Sequence, residues 1–257
     1  MLLAIDIGNT SINLGLFDGD KLRFTWRLTT RTDRSADEYG SLVCTLLERR
    51  TVPISEVTGA VLCSVVPPLA SIFQEVCHKY LETSPLVIGP GIRTGVRISV
   101  DAPREVGSDR VVNAVAAHHL YAEPVIVIDF GTATTFDVVS GDGDYLGGAI
   151  APGITIASEA LFERTAMLPR IELTSPGQAI GRNTISAMQS GIIFGYVGLV
   201  EGLIKRIKQE LHDKPRVIAT GGYAYPLVKE IPAIEAVNLD LSLIGLHLIW
   251  EMNKIEK

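Results

Sequence analysis

The sequence predicts an α/β chain made of two similar halves, in which helices cover mixed sheets. The first observation is an internal repeat: an apolar run at residues 2–5 leads into Asp6 and a glycine turn, and a run at 125–128 leads into Asp129 and another glycine turn. The second is that both copies continue, with alternating apolar residues, to a hairpin containing Asp-Gly, which is typical of paired strands. Because the copies lie nearly half a chain length apart, we predict duplicated domains.

Helical patterns follow each copy and complete the prediction. Apolar residues recur at helical spacing over 36–49, 69–81, 110–121, 154–164 and 185–211, and short buried strands are predicted at 57–66 and 216–220. The length of 257 residues suits one large or two modest domains. We place the boundary so that 1–120 is the N-terminal half and 121–257 the C-terminal half.

Composition and charge exclude several classes of protein. Apolar residues make up 47% of the chain and charged residues 20%, which excludes disorder and coiled coil. The net charge of −6, without a basic run, argues against nucleic acid or an anionic membrane as a partner. A small anionic ligand stays open, because it needs only a few local positive groups.

Cysteine usage and the N-terminus favour a soluble, cytoplasmic protein. Cys44, Cys63 and Cys77 lie in apolar stretches without metal-ligand spacing, so free thiols are expected rather than a disulfide or a metal site. The first residues have no basic region typical of a signal peptide. The apolar stretch 191–203 is interrupted by a glutamate and is too short to span a bilayer.

The two glycine turns predict a nucleotide site. Backbone N–H groups in such turns bind phosphate, and nearby side chains add donors. The candidate donors are Asn9, Thr10 and Ser11 in the first copy and Thr132, Thr134 and Thr135 in the second. Asp6 and Asp129 would repel phosphate, so we expect them to hold a cation, directly or through water. A single such turn is more typical of a plain hairpin; two copies favour the phosphate site.

A third motif, residues 219–222 with Gly221 and Gly222, would allow a base and ribose to approach the backbone closely.

Together these motifs resemble the superfamily of acetate kinases, sugar kinases, heat-shock chaperone ATPases and actin, whose duplicated, ribonuclease H-like domains clamp ATP. Within it the sequence resembles type III pantothenate kinases most closely. The motifs that carry this resemblance are spread over most of the chain: DIGNT at 6–10, SVVP at 64–67, GSDR at 107–110, DFGTATT at 129–135, GGAIAPG at 147–153 and ATGG at 219–222. The resemblance implies ATP-dependent phosphorylation of pantothenate, the first step of coenzyme A biosynthesis.

The resemblance also implies roles for individual residues. Asp109 would be the catalytic group that accepts the hydroxyl proton, and Asp129 would bind a monovalent cation, K⁺ or NH₄⁺. Mg²⁺ would accompany ATP, with Asp6 contacting it through water. ATP would be bound by Asp6, Ile7, Gly8, Asn9, Thr10, Ser11, Ile12, Asn13, Thr132, Gly221 and Gly222. Pantothenate would be bound by Val100, Gly107, Ser108, Asp109, Arg110 and Thr184.

Several of these residues have an ordinary structural alternative. Ser108 and Thr184 both suit the N-cap of a helix, and Asp109 suits the first turn of one. Small residues in the long helix, Ala187, Gly191, Gly195, Gly198 and Gly202, form a stripe on one face. Such a stripe would pack either inside the chain or at the homodimer interface that the resemblance implies, near the substrate site.

Two other functions remain open. Family members often carry a tyrosine where Val100 stands, which leaves room for a kinase acting on another small hydroxylated acid. The same fold includes a Bvg accessory factor, so a non-catalytic regulatory role is the second alternative. The presence of Asp6, Asp109 and Asp129 weighs against it.

Overall fold

The computed structural model describes residues 1–211 and 213–254 and divides into two compact units. The first unit comprises Met1–Leu120 together with residues 240–254, and the second is Tyr121–Leu239. The units separate at the residue chosen from the sequence. Residues 240–254, however, belong to the first unit, whereas the sequence placed them in the second half. Residues 212 and 255–257 of that half lie outside the described residues.

The helices and strands of the two units follow one another in a similar order along the chain. The first unit contains β1 (Leu2–Ile7), β2 (Ser11–Asp18), β3 (Lys21–Thr29), α1 (Ala36–Glu48), β4 (Gly59–Ser64), α2 (Pro67–Tyr80), β5 (Leu86–Val87), β6 (Arg97–Ile98) and α3 (Ser108–Tyr121), with short 3-10 helices at Ile54–Glu56 and Pro103–Glu105. The second contains β7 (Val125–Phe130), β8 (Ala133–Val139), β9 (Asp144–Pro152), α4 (Ile154–Arg164), α5 (Thr184–Glu210), β10 (Arg216–Thr220), α6 (Ala224–Val228) and β11 (Ala236–Val237). A last helix, α7 (Leu241–Asn253), returns to the first unit.

Strand order confirms the predicted duplication. The first unit has the order β3-β2-β1-β4-β5, and the strands of the second run β9-β8-β7-β10-β11. In each unit the first strand of the repeat pairs antiparallel with the next strand and parallel with a later one. β1 and β7 also share one burial pattern, in which only the aspartate position is not fully buried. The chain therefore has the predicted α/β fold with mixed sheets.

The first sheet has helices on both faces, because both faces of β1 are apolar. Leu3, Ile5 and Ile7 point to the side covered by α1 and α2. Leu2 and Ala4 pack on the other side with residues of α3 and α7. Successive side chains of a strand alternate between faces, so the next even position, occupied by the aspartate, lies on the α3 and α7 side.

In the second unit α5 supplies much of the core. Its residues Ile193, Tyr196, Val200 and Ile204 pack against alternate residues of β7. The 27 residues of α5 are long and apolar enough to cross a membrane by length and composition, so the expectation that the apolar stretch 191–203 is too short to span a bilayer does not hold for the whole helix. A long core helix meets the same criterion, and the packed face of α5 fits that interpretation.

The small-residue stripe lies outside this core. Gly191, Gly195 and Gly198 are exposed, and a Cβ atom added at any of them would meet nothing within 4 Å. Packing of this stripe inside the chain, one of the two alternatives drawn from the sequence, is therefore wrong.

The cysteines are free, as predicted. Cys63 and Cys77 are buried and Cys44 is half-buried. Burial raises the pKa of Cys77 to about 12, so its thiol stays protonated.

Candidate active site

Asp6 is the penultimate residue of β1, and polar groups of its own unit surround its carboxylate. Its Oδ2 accepts a hydrogen bond from Ser242 Oγ at 2.8 Å and a longer one from Asn13 Nδ2 at 3.4 Å. Burial raises the pKa of Asp6, the two hydrogen bonds lower it, and the negative charge of Asp109 raises it further. The two acids of the first unit thus lie close enough to influence each other.

The turn after Asp6 presents a compact set of polar groups. Gly8 N donates to Ser11 O at 3.0 Å, and Thr30 Oγ1 donates to Gly8 O at 2.7 Å. Asn9 and Thr10 are exposed at the tip, where a ligand could reach them.

Two other residues expected to bind ATP are not exposed. Ile7 and Ile12 are fully buried in the first-unit core.

The second copy repeats the turn but uses its hydroxyls differently. Gly131 N donates to Ala133 O at 3.1 Å, and Thr132 is exposed at the tip. Thr134 is buried and hydrogen-bonded to Tyr196 Oη, and Thr135 Oγ1 donates to Asp137 Oδ2 at 2.9 Å. Of the three threonines expected to face phosphate, Thr132 is the one that the turn exposes.

Gly221 brings the end of β10 against Asp129. Thr220 and Asp129 are partners in the parallel pairing of β10 with β7. Gly221 has a φ of +91°, and a Cβ atom there would lie 2.5 Å from Asp129 Oδ1 and 2.6 Å from the Phe130 backbone. Only glycine fits this approach. The predicted cation ligand and the predicted adenosine motif are therefore adjacent within the second unit.

The GSDR motif opens α3. Ser108 is the first residue of the helix, and its Oγ accepts from Cys63 Sγ at 3.2 Å and donates to Ser64 O at 3.4 Å. It ties α3 to the end of β4, which differs from the N-cap expected from the sequence.

Asp109 turns back onto the start of the same helix. Its Oδ1 accepts from Arg110 N at 2.9 Å. A Cβ atom on Gly107 would lie 2.5 Å from that oxygen, so glycine leaves room for the carboxylate. Burial raises the pKa of Asp109, and the backbone N–H and the charge of Arg110 lower it in part.

The two remaining substrate candidates lie in different units. Val100 is half-buried in the segment that precedes the 3-10 helix Pro103–Glu105 of the first unit. Thr184 is exposed in the second unit, and the N-cap of α5 is Asn183, which forms a capping box with Ser186. The N-cap role expected for Thr184 is therefore wrong. Thr184 instead lines an open groove of about 710 Å³ beside α5.

Comparison with known protein families identifies the family to which the chain belongs. The sequence model of the type III pantothenate kinase family matches residues 2–206. The chain belongs to this family. A type III pantothenate kinase of Dehalococcoides mccartyi is 51% identical over 254 residues, which cover 99% of this chain and 97% of that protein.

Solved structures agree on the fold at lower identity. A Campylobacter jejuni protein described as a Baf family transcriptional activator superposes with a TM-score of 0.62 at 19% identity, covering 98% of both chains. A ROK hexokinase from Thermus thermophilus superposes with a TM-score of 0.54 at 16% identity, covering 98% of this chain and 99% of that one. These likenesses confirm the actin-like α/β fold predicted from the sequence.

The carboxylates of this type III pantothenate kinase family member suit hard cations. Within residues 1–211 and 213–254, no cluster of three or more His, Cys, Asp or Glu side chains could hold a metal. Mg²⁺ that travels with a nucleotide needs only one or two carboxylates, since phosphate and water supply the other ligands. Asp6, near the end of β1 beside the first glycine turn, fits that requirement, and Asp129 has the equivalent position in β7, where a monovalent cation is expected.

Sequence reasoning missed two contacts of this site. Ser242 lies 236 residues from Asp6, and α7 follows the region that the family model matches. No local pattern signals such a partner. Cys63 was classed as a buried thiol, yet it donates to Ser108 of the GSDR motif. The register of β4 beside β1, which pairs Cys63 with Asp6, explains its position.

Proposed function

We propose that this protein transfers the γ-phosphoryl group of ATP to pantothenate, giving 4′-phosphopantothenate in the first step of coenzyme A biosynthesis. The observation that carries the proposal is Asp109, a half-buried carboxylate beside Arg110 at the start of α3, close enough to Asp6 that its charge raises the pKa of that carboxyl. Membership of the type III pantothenate kinase family supports the choice of substrate.

Asp109 is the group that accepts the proton of the pantothenate hydroxyl. Phosphoryl transfer proceeds through a loose transition state, so positioning and charge stabilisation matter more than a strong base. Burial raises the pKa of Asp109, and a carboxylate with a raised pKa is a stronger base for this proton. Arg110 pairs with the carboxylate of pantothenate or with the transferring phosphate, which its planar guanidinium recognises through two hydrogen bonds.

The two glycine turns hold the phosphates of ATP. Gly8, Asn9, Thr10 and Ser11 do so in the first unit and Thr132 in the second, while Gly221 and Gly222 receive the adenosine. Asp6 binds Mg²⁺ through water, and Asp129 binds K⁺ or NH₄⁺. These cations supply positive charge that neutralises the phosphates. Val100, Gly107, Ser108 and Thr184 complete the pantothenate site.

The test is release of ADP from MgATP, with and without pantothenate, first in potassium and then in sodium buffer. We expect ADP release that requires pantothenate and is faster in potassium. ATP binding without pantothenate-dependent ADP release would contradict the proposal. A panel of small hydroxylated acids would then identify another acceptor, and failure of every acid would favour a regulatory role.

Replacement of Asp129 tests the monovalent cation site. We expect Asp129→Ala to remove most of the stimulation by potassium, because the carboxylate that holds the ion is lost. The measurement is the ratio of ADP-release rates in potassium and sodium. Asp142→Ala, which changes an exposed acid in the β8–β9 hairpin, is the matched control and should keep the wild-type ratio. An unchanged ratio in Asp129→Ala would refute the assignment.

A second copy of the chain is the proposed occupant of the exposed face of α5. The small-residue stripe leaves room for close helix approach, and it continues into the groove lined by Thr184, Ala187 and Gly191. Two large apolar side chains of the same unit are strongly exposed, Met167 at 91% and Ile180 at 83%. Apolar surface of this kind marks protein interfaces. The homodimer would place Thr184 near the interface.

A charged residue in the stripe should separate the dimer. Because a side chain at Gly195 meets nothing within the chain, Gly195→Arg should fold normally and yet block close approach of a partner helix. We expect sedimentation velocity to show a dimer for the wild type and a monomer for Gly195→Arg. The thermal stability of the individual protomer should be unchanged. Gly177→Arg, at another exposed glycine of the second unit, should remain dimeric. A dimeric Gly195→Arg protein would place the interface elsewhere.

We also place the protein in the cytoplasm, with neither nucleic acid nor a membrane as partner. The net charge of −6, the absence of a basic run from the sequence and the free cysteines support this location.

A further inference from the structure

The start of α7 lies directly against Asp6. Ser242 is the second residue of the helix, and its hydroxyl donates to Asp6 Oδ2 at 2.8 Å. Asp6 shares a face of the first sheet with Leu2 and Ala4, the residues that pack with α3 and α7. The contact therefore follows from strand alternation, which turns the carboxylate towards this helix. The partial positive charge at a helix N-terminus favours a carboxylate at the same place.

The rest of α7 is anchored independently of Ser242. His247 stacks on Phe17 with ring centroids 4.5 Å apart, and its Nε2 lies 3.1 Å from Gly19 O. Asn253 closes the other end: its Nδ2 donates to Arg93 O at 2.7 Å, and its Oδ1 accepts from Arg93 N at 3.1 Å. Loss of the Ser242 hydroxyl would thus leave the helix in place.

We propose that Ser242 is a positioning residue that holds the Asp6 carboxylate in the orientation needed to bind hydrated Mg²⁺ with ATP. The hydroxyl donates to one oxygen and so fixes the rotation of the group, and Asn13 Nδ2 reinforces the same oxygen from β2 at 3.4 Å. Partners of this kind orient a carboxylate near a metal, and their loss commonly weakens metal affinity about 10-fold or more. The C-terminal helix thereby takes part in nucleotide binding. This inference rests on the proposed role of Asp6.

The test compares four variants by calorimetric titration with ATP, in the absence of pantothenate, with Mg²⁺ and with EDTA. We expect Ser242→Ala to weaken MgATP binding about 10-fold and to change binding of metal-free ATP much less. Ser242→Thr keeps the hydroxyl and should restore most of the affinity. In steady-state assays the KM for MgATP of Ser242→Ala should rise while kcat changes little.

Asn253→Ala and Asp6→Asn separate the alternatives. Asn253→Ala removes another anchor of α7 without touching Asp6, so it should lower the melting temperature and leave MgATP binding unchanged. Equal losses in Asn253→Ala and Ser242→Ala would show a general effect of helix loosening and overturn the inference. If Ser242→Ala bound MgATP as tightly as the wild type while Asp6→Asn bound it more weakly, the positioning role of Ser242 would be overturned. The role of Asp6 in binding MgATP would then still stand. Wild-type binding in Asp6→Asn would overturn the role of Asp6 itself.

Discussion

Asp109→Asn is expected to reduce kcat by roughly 10²- to 10⁴-fold, the usual contribution of a positioned general base. The asparagine Oδ1 can still accept from Arg110 N, as the carboxylate does at 2.9 Å, so the start of α3 should keep its structure. What is lost is the negative charge that takes up the hydroxyl proton. ATP affinity, measured by titration without pantothenate, should remain close to that of the wild type.

A control variant and the pH dependence of the rate test the role of Asp109 further. Glu75→Gln changes an exposed acid on α2 and should leave kcat unaltered. Because burial raises the pKa of Asp109, the base is lost by protonation at a higher pH than a solvated carboxyl would be. The wild-type rate should therefore fall as the pH decreases through that raised value, and Asp109→Asn should lack this acidic limb. Wild-type turnover in Asp109→Asn would remove the residue from the mechanism.

Gly221→Ala is expected to lower both the stability of the protein and its response to potassium. A side chain at a φ of +91° is strained, and the new Cβ would lie 2.5 Å from Asp129 Oδ1 and 2.6 Å from the Phe130 backbone. Strain and overpacking of this kind each cost on the order of 1–3 kcal/mol. Relief requires movement of the end of β10 away from Asp129, so the response to potassium should be lost as well.

Chemical denaturation gives the change in stability, and the potassium-to-sodium rate ratio gives the effect on the site. Gly177→Ala is the matched control in the same unit, since its Cβ would meet nothing within 4 Å and its φ lies outside the left-handed region. We expect the control to match the wild type in both measurements. Wild-type stability in Gly221→Ala would show that the turn does not require glycine.

The repeat made most of the fold predictable. Both copies carry local signals, namely an apolar run, an acid, a glycine turn and a hairpin, and the structure builds the same strand order around each. β10 and α4 have the predicted limits, because β-branched residues bounded by Gly221 and helical spacing after Gly153 define them locally.

Helix α7 could not be predicted in the same way. Its residues are apolar on nearly every side, with Leu241, Leu243, Leu246 and Ile249 all buried. A helix buried all round has no polar face, and the periodic signal is therefore weak. Its membership of the first unit and the contact from Ser242 to Asp6 depend on packing between distant parts of the sequence, which no local pattern encodes.

The site residues also divide into those that local sequence predicts and those that depend on packing between distant parts of the chain. The turn residues Asn9, Thr10 and Thr132 are exposed as expected, since glycine turns after buried strands position their neighbours locally. Thr134 was misjudged because its partner, Tyr196, comes from a helix 62 residues away.

The return of α7 to the first unit also sets an order of events during synthesis. The second unit is continuous in sequence and could fold as soon as it leaves the ribosome. The first sheet cannot cover its α3 and α7 face until Leu243, Leu246 and Ile249 have been translated. Until then that apolar sheet face lacks one of the two helices that cover it. Translation of α7, rather than emergence of the first strands, is therefore the step that lets the first unit complete its core.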